Sequence, residues 1–337
     1  MNDPIRVLVV EDRPAEATLI VAELHRPGVE LEWKRVETES DYLVQLTRGW
    51  QIILAGDQVP QLAVVRALEL LKARRLDIPF VVLTDGEYGY DDALNQGASD
   101  CVQRRFGRLG HVVRRELRNA AERQWRKTEV SVTKSVMERL LQSEVGGNPI
   151  YDILAEIKQA ADFEAVGVRI RQGDDFPYYQ TIGFPDVFVK SEESLCSRDS
   201  AGYPVRDEQG NHVMDCLCGD VLAGRFDPSS TFFTKGGSLW CNRTSQLPAS
   251  MTAATSTPRR NVCVHMGYES LALIPLRRGD QIFGLMQFND HRPDRFTLEM
   301  TEFFERLGST IGIALDRQLK QEALLESREE LLLALGG

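Results

Sequence analysis

Ile-Arg-Val-Leu-Val-Val-Glu-Asp, residues 5–12, places a short β-branched apolar run directly before two carboxylates. Two runs of the same kind follow, IILA at 52–55 and PFVVLT at 79–84, with amphipathic segments such as 15–26 and 62–74 between the runs. Strand-length apolar runs alternating with helix-length amphipathic ones predict a βαβ architecture. Strands buried on both faces of a parallel sheet read as continuous apolar runs, and their functional residues gather at the carboxyl ends. Glu11, Asp12, Gly56, Asp57 and Thr84 stand at such ends.

From about Leu109 to Glu144 the chain has no proline and one glycine, with apolar residues at helical spacing (Val113, Leu117, Val136, Leu140). This pattern predicts a long connecting helix, which the Gly-Gly-Asn-Pro at 146–149 stops. A second domain then opens with an amphipathic helix near Ile150–Ala161 and two strand-like runs, AVGVRIR at 165–171 and PYYQTIG at 177–183. Residues 185–262 are rich in Asp, Ser, Gly, Thr and Pro, and a loop region this long is usually functional or disordered. ESLALIPLRRGDQIFGLMQFND at 269–290 reads as a hairpin turning at Arg-Arg-Gly-Asp. A final helix is predicted over about Thr297–Leu335. Its apolar residues Phe303, Leu307, Ile311, Leu315 and Leu319 recur every fourth position, though the heptad fails further on.

With 337 residues, 42% hydrophobic and 27% charged, the chain suits two ordinary globular domains. A net charge of -10 repels phosphate backbones, so no nucleic-acid partner is expected. Basic residues cluster only between Arg104 and Lys127 (Arg105, Arg108, Arg114, Arg115, Arg118, Arg123, Arg126), without a helix-turn-helix pattern, and a solvated helix facing an acidic partner surface is the better reading. No secretory leader or apolar run of the ~20 residues needed to cross a bilayer is seen, so no membrane association and a cytoplasmic location are expected. Six cysteines in a reducing compartment are then free, metal-bound or redox-sensing rather than disulfide-paired.

The order of runs over about residues 4–118, with Glu11-Asp12 after the first strand, Thr84 after the fourth and GASDCVQR at 97–104, resembles the response-regulator receiver family. The resemblance implies a CheY-like, flavodoxin-like, doubly wound parallel five-stranded sheet, with Glu11 and Asp12 as Mg²⁺ carboxylates. It also requires a phosphorylatable aspartate four residues before Pro60, where this chain has Gly56. Glycine has neither nucleophile nor carboxylate, and Asp57 is displaced by one residue, which on a strand normally turns a side chain to the opposite face. Arg104 stands where the family has its phosphate-pairing lysine, and Cys101 where it has the aromatic switch. A degenerate pseudo-receiver that does not take Mg²⁺ and works by docking is therefore expected, with phosphorylation of Asp57 as the rival.

Residues about 150–320, through the 269–290 hairpin and the helix beginning FTLEMTEFF, resemble a GAF domain of the cysteine-containing type found in sensor histidine kinases. The resemblance implies an α+β fold with an antiparallel sheet cupping a small-molecule ligand, and no catalytic residues; no enzyme activity is expected. The insert carries SLCSRD, DCLCGD, GSLWCN and NVCVHMGYES. Cys196, Cys216, Cys218 and Cys263, with Cys241, His212 and His265 in reserve, can supply soft ligands for zinc, an iron-sulfur cluster or haem iron. The one-residue spacing of Cys216 and Cys218 departs from the usual Cys-x2-Cys pair of structural zinc sites. Buried cysteines serving as small hydrophobes, or thiols oxidising reversibly without metal, remain open readings.

The expected organisation is thus a receiver domain at 1–120, a helical linker at 121–147, a GAF domain at 148–318 and a signalling helix at 319–337. Its partners would be a histidine kinase or another signalling protein and a second copy paired through the helices. With no kinase, cyclase or phosphodiesterase signature, output would act in trans, or the chain is a fragment of a longer kinase.

Overall fold

A computed structural model describes residues 4–335 except 26–29, 87–88, 104–106, 143–148, 200, 209, 211, 228, 249–250 and 252–258. The chain divides into two compact units, Met1–Lys127 and Thr128–Gly337.

The first unit alternates β1 (Ile5–Val10), α1 (Pro14–Leu24), β2 (Leu31–Val36), α2 (Glu39–Gln45), β3 (Ile52–Gly56), α3 (Val64–Ala73), β4 (Phe80–Thr84), α4 (Tyr90–Gln96) and β5 (Asp100–Gln103), and then enters α5 (Leu109–Gln142). All neighbouring strands pair in parallel, in the order β2-β1-β3-β4-β5. The period of two sends alternate residues to opposite faces. Leu8, Val10, Ile53, Ala55 and Val82 meet Tyr42, Leu68, Leu71 and Ala93 on one face. Val7, Val9, Ile52, Leu54 and Leu83 meet Ala17, Ile20, Val21, Leu109 and Val113 on the other. Two cores, one per face, account for the unbroken apolar runs: β3 and β4 have no residue that could stand in water. Chain order reverses between β1 and β3, which puts the carboxyl ends of those strands, Glu11-Asp12 and Gly56-Asp57, at the switch point.

The second unit comprises the last part of α5, α6 (Pro149–Ala161), β6 (Ala165–Ile170), β7 (Tyr178–Ile182), α7 (Asp186–Ser191), α8 (Leu217–Leu222), β8 (Leu239–Cys241), α9 (Val262–His265), β9 (Ser270–Arg278), β10 (Gln281–Asp290) and α10 (Leu298–Leu335). Its sheet runs β7-β6-β10-β9-β8 with antiparallel pairing throughout. On one face Phe288 packs 4.4 Å from Phe304 of α10, ring centre to ring centre, and Phe163 joins them at 5.2 Å from Phe288. On the other, Ala165, Leu239, Cys241, Leu271, Leu273 and Leu285 are covered by Phe184, Phe188, Leu195, Cys216, Cys218, Cys263 and Tyr268. The segment read as one long loop therefore supplies the second half of the core, through short elements and buried side chains. Gly183 permits the turn after β7: its φ is +88°, and a Cβ there would collide with the Glu164 carbonyl oxygen.

The connecting helix follows its predicted course, and among the described residues no helix is long and apolar enough to cross a membrane. Part of its basic character is answered locally. Arg115 pairs with Asp100 and Glu116, and Arg123 and Lys127 reach Asp77 at 3.3 and 2.6 Å. For these residues the acidic face belongs to their own unit. Arg104, Arg105 and the stop signal Gly146-Gly147-Asn148 lie outside the described residues.

Candidate functional site

The carboxyl end of the parallel sheet gathers Glu11, Asp12, Asp57 and Thr84 by strand geometry alone, while Cys101 is the second residue of β5, in register with Val82. Glu11 is wholly buried, and its Oε1 accepts hydrogen bonds from the Arg13 amide (3.1 Å) and Nε (3.4 Å). The same Nε lies 4.0 Å from Asp12 Oδ1, and Arg13 reaches Glu16 at 3.8 Å. A guanidinium thus answers the acidic pair that the receiver resemblance assigns to Mg²⁺. Gly56 offers no carboxylate, and among the described residues no three His, Cys, Asp or Glu side chains are grouped to hold a metal ion.

The Thr84 hydroxyl accepts from the Gly86 amide at 3.0 Å. Burial, Asp100 and Asp57 push the Cys101 thiol up, so it stays neutral. Asp57 differs from the sequence expectation in one respect. β3 ends at Gly56, the Asp57 amide still bonds the Leu83 carbonyl at 3.0 Å, and both carboxylate oxygens are shielded from solvent. The one-residue displacement does not carry this carboxylate into water, because the residue leaves the strand at the point where alternation ends.

The second candidate lies on the loop-covered face of the antiparallel sheet. Arg169 in β6 is wholly buried. Its Nη1 donates to the carbonyls of Phe176 (2.9 Å) and Glu192 (2.8 Å), and its guanidinium lies 3.5 Å from the centre of the Tyr178 ring. Nη2 stands 3.5 Å from Glu192 Oε2, but neither it nor Nε finds a hydrogen-bond acceptor among the described residues. The other Glu192 oxygen is taken by Arg260 at 2.6 Å. Burial works against the Arg169 charge, and Tyr178, Cys218, Glu192 and Cys216 outweigh it. Tyr178 in turn donates to Gln287 Oε1 (2.9 Å), whose amide donates to Asn289 Oδ1 (2.9 Å).

The thiols sort into separate settings. Cys216 caps α8, its Sγ accepting from the Gly219 amide at 3.3 Å. The Cys218 thiol pulls Cys216 below the ordinary range against the effect of burial, and Cys218 is correspondingly pushed well up. Burial raises Cys263, and raises Cys241 to about 12. Cys196 turns to His212 at 3.3 Å, with burial and Asp175 pushing it up to about 11. Cys216, Cys218, Cys241 and Cys263 share one apolar cluster, whereas His265 is exposed on α9. The structure assembles no three-ligand group from the expected set of Cys196, Cys216, Cys218 and Cys263. Sequence reasoning passed over Arg169; the available signal was a lone charge inside the apolar run AVGVRI.

Comparison with known proteins follows this division. The family model described as a GAF domain matches residues 191–316, and that stretch is a GAF domain. The N-terminal unit is a five-stranded parallel sheet in the order β2-β1-β3-β4-β5, the topology that the receiver resemblance implied. Among solved structures, the chain is similar to the receiver domain of the Francisella response regulator 1452, with 17% identity over 35% of this chain and 97% of that one and a TM-score of 0.30. It is similar to the nlh2 GAF domain of A. aeolicus in an inactive state, with 11% identity over 57% and 98% and a TM-score of 0.37. It is also similar to the GAF domain of a phosphoenolpyruvate-protein phosphotransferase from Coxiella burnetii, with 10% identity over 58% and 98% and a TM-score of 0.38. No curated protein matches the chain.

Proposed function

We propose that the chain is a two-component-type signal transducer whose input enters at the GAF domain, and whose receiver domain acts by protein contact rather than through an aspartyl phosphate. The observation that carries this reading is Gly56 at the carboxyl end of β3, where the receiver fold needs a nucleophilic carboxylate. Arg13, whose Nε lies 3.4 Å from Glu11 and 4.0 Å from Asp12, supports it, since a cation beside the acidic pair competes with a metal. Partners of this kind are signalling proteins such as a histidine kinase, and a second copy of the chain paired through the helices. The GAF domain holds its signal in the buried face around Arg169 and carries no catalytic machinery.

The test is incubation of the full chain with acetyl phosphate and Mg²⁺, read by intact mass. No phosphoryl adduct is expected. A second reading, phosphorylation of Asp57, is favoured by the shielding of both its carboxylate oxygens beside the end of β3. A mass gain that Asp57→Ala abolishes would establish that reading and end the first.

A further inference from the structure

We infer that Cys196 is a covalent-attachment site: its thiol adds to an α,β-unsaturated carbonyl compound lodged in the groove beside it, with His212 as the base and Asp174 orienting the imidazole. The inference rests on the reading that input enters at the GAF domain, and it names a chemical class for that input.

Three segments of chain meet at this point. The turn between β6 and β7 is closed by two main-chain bonds, from the Gln172 amide to the Asp175 carbonyl (2.9 Å) and from the Asp175 amide to the Gln172 carbonyl (3.2 Å), and it presents Asp174. The stretch after α7 is tied to the stretch before α8 by the Ser197 amide, which donates to the Val213 carbonyl at 2.7 Å and so sets Cys196 beside His212. Cys196 Sγ lies 3.3 Å from His212 Nδ1, and His212 Nε2 lies 3.3 Å from Asp174 Oδ2. Thiol, imidazole and carboxylate thus stand in the order of nucleophile, base and orienting group. A carboxylate facing Nε2 favours the proton there and leaves Nδ1 to accept from the thiol. Arg206, 3.5 Å from the same carboxylate oxygen, holds Asp174 from its other side.

The site is open to a ligand. Cys196 lines a groove of about 670 Å³, a size that holds a small organic molecule. Lys190 and Arg198 stand on the same walls and supply positive charge for a developing oxyanion. Disulfide chemistry does not suit the position, because Cys216, Cys218, Cys241 and Cys263 belong to the apolar cluster and Cys196 stands apart from it. Burial and Asp175 push this thiol up to about 11, so it rests neutral and needs a base that takes its proton as the bond to carbon forms. His212 holds that place. An electrophile without a leaving group matches the arrangement, since the imidazole that takes the proton can return it to the adduct.

The step balances. A sulfur electron pair forms the S–C bond to the β-carbon as the thiol proton passes to His212 Nδ1, the C=C π pair shifts to give the enolate, and the imidazolium returns the proton to the α-carbon. Nothing is oxidised and nothing leaves, so the thioether forms without a co-reactant and reverts by the same path. The adduct sits on the segment that caps the buried charge. The Glu192 carbonyl accepts from Arg169, its carboxylate accepts from Arg260, and the Ser194 hydroxyl and Leu195 amide both donate to Asp175. Filling the groove therefore bears on the chain segment that Arg169 holds.

Trypsin isolates this thiol, because the 191–198 fragment contains Cys196 and no other cysteine. The full chain is treated with methyl vinyl ketone at neutral pH, either folded or unfolded in urea, and digested at timed intervals. Fragment 191–198 is expected to gain one ketone on the order of tenfold faster in the folded chain than in the unfolded one. Fragment 236–243, which carries Cys241, should gain it more slowly folded than unfolded. His212→Gln should slow labelling of Cys196 on the order of a hundredfold. Asp174→Asn, at an exposed side chain, should slow it by less and leave the thermal midpoint in place. Slower labelling of Cys196 in the folded chain than in the unfolded one would overturn the inference, and that comparison is read on the natural chain even if the His212 variant does not fold. A folded His212→Gln or Asp174→Asn chain labelled at the unchanged rate would overturn it as well. Phosphorylation at Asp57 would overturn the functional reading above and leave this chemistry standing, so the two failures are distinct.

Discussion

Arg169 shows what one buried charge demands of its neighbours. Breaking a buried ion pair on one side leaves the other charge stranded, which typically costs about 3–5 kcal/mol. Glu192→Gln strands both Arg169 and Arg260, and chemical denaturation should show a loss near about 3 kcal/mol. Removing the cation instead, as Arg169→Met, should cost less, since Glu192 keeps Arg260. Asp290 illustrates the titrating counterpart. Burial alone would raise its carboxyl, but bonds from Arg292 at 2.7–2.9 Å and the nearby Arg295 hold it below the usual carboxylate range. A depressed carboxyl gives stability that is fully present above the unfolded value near ~4 and is lost as pH falls through the lower folded value. Acid unfolding followed below about pH 4 should therefore lose part of its slope in Asp290→Asn.

At the scale of elements, α8 depends on close approach. A Cβ on Gly219 would collide with the Met214 carbonyl oxygen, so Gly219→Ala should shift the helix carrying both thiols and destabilise the domain by about 1–3 kcal/mol in thermal unfolding. The strands differ in how plainly they could be read. β3 and β4 are buried on both faces and announce themselves as apolar runs, whereas β2, LEWKRV, is a sheet edge with three exposed residues and reads like a loop. β8 spans three residues and leaves no periodicity to detect. The site was half legible for a related reason. Cysteines 216, 218, 241 and 263 stood out by type, but they sit in a segment whose composition resembles solvent-exposed turns, and side chains from distant positions bury it. Arg169 left only the faint signal of a single charge inside the run AVGVRI. On the outer surfaces of the long helices, Val130, Met137 and Leu141 of α5 and Ile313 and Leu324 of α10 stand exposed. Light scattering should report a dimer if these faces pair, and a monomer at high concentration counts against pairing.

Across the whole molecule, two compact units with separate cores favour two cooperative transitions over one. Scanning calorimetry should resolve them, and Asp290→Asn should lower one midpoint while the other stays put. A single transition that moves as a unit would contradict the separation.

The segment between Glu192 and Tyr268 has a further consequence. Among its described residues, main-chain bonds are joined by single side chains that clasp the main chain. Arg260 holds the carbonyls of Ser191 and Ser194, Asn261 accepts from the Leu217 amide and donates to the Met251 carbonyl, and Thr244 donates to the Tyr268 carbonyl. A ladder spreads its stability over many interchangeable residues, while a clasp concentrates it in one. Saturation mutagenesis of this stretch should accordingly return a spiked profile, intolerant at Arg260, Asn261 and Thr244 and permissive at exposed positions such as Tyr203.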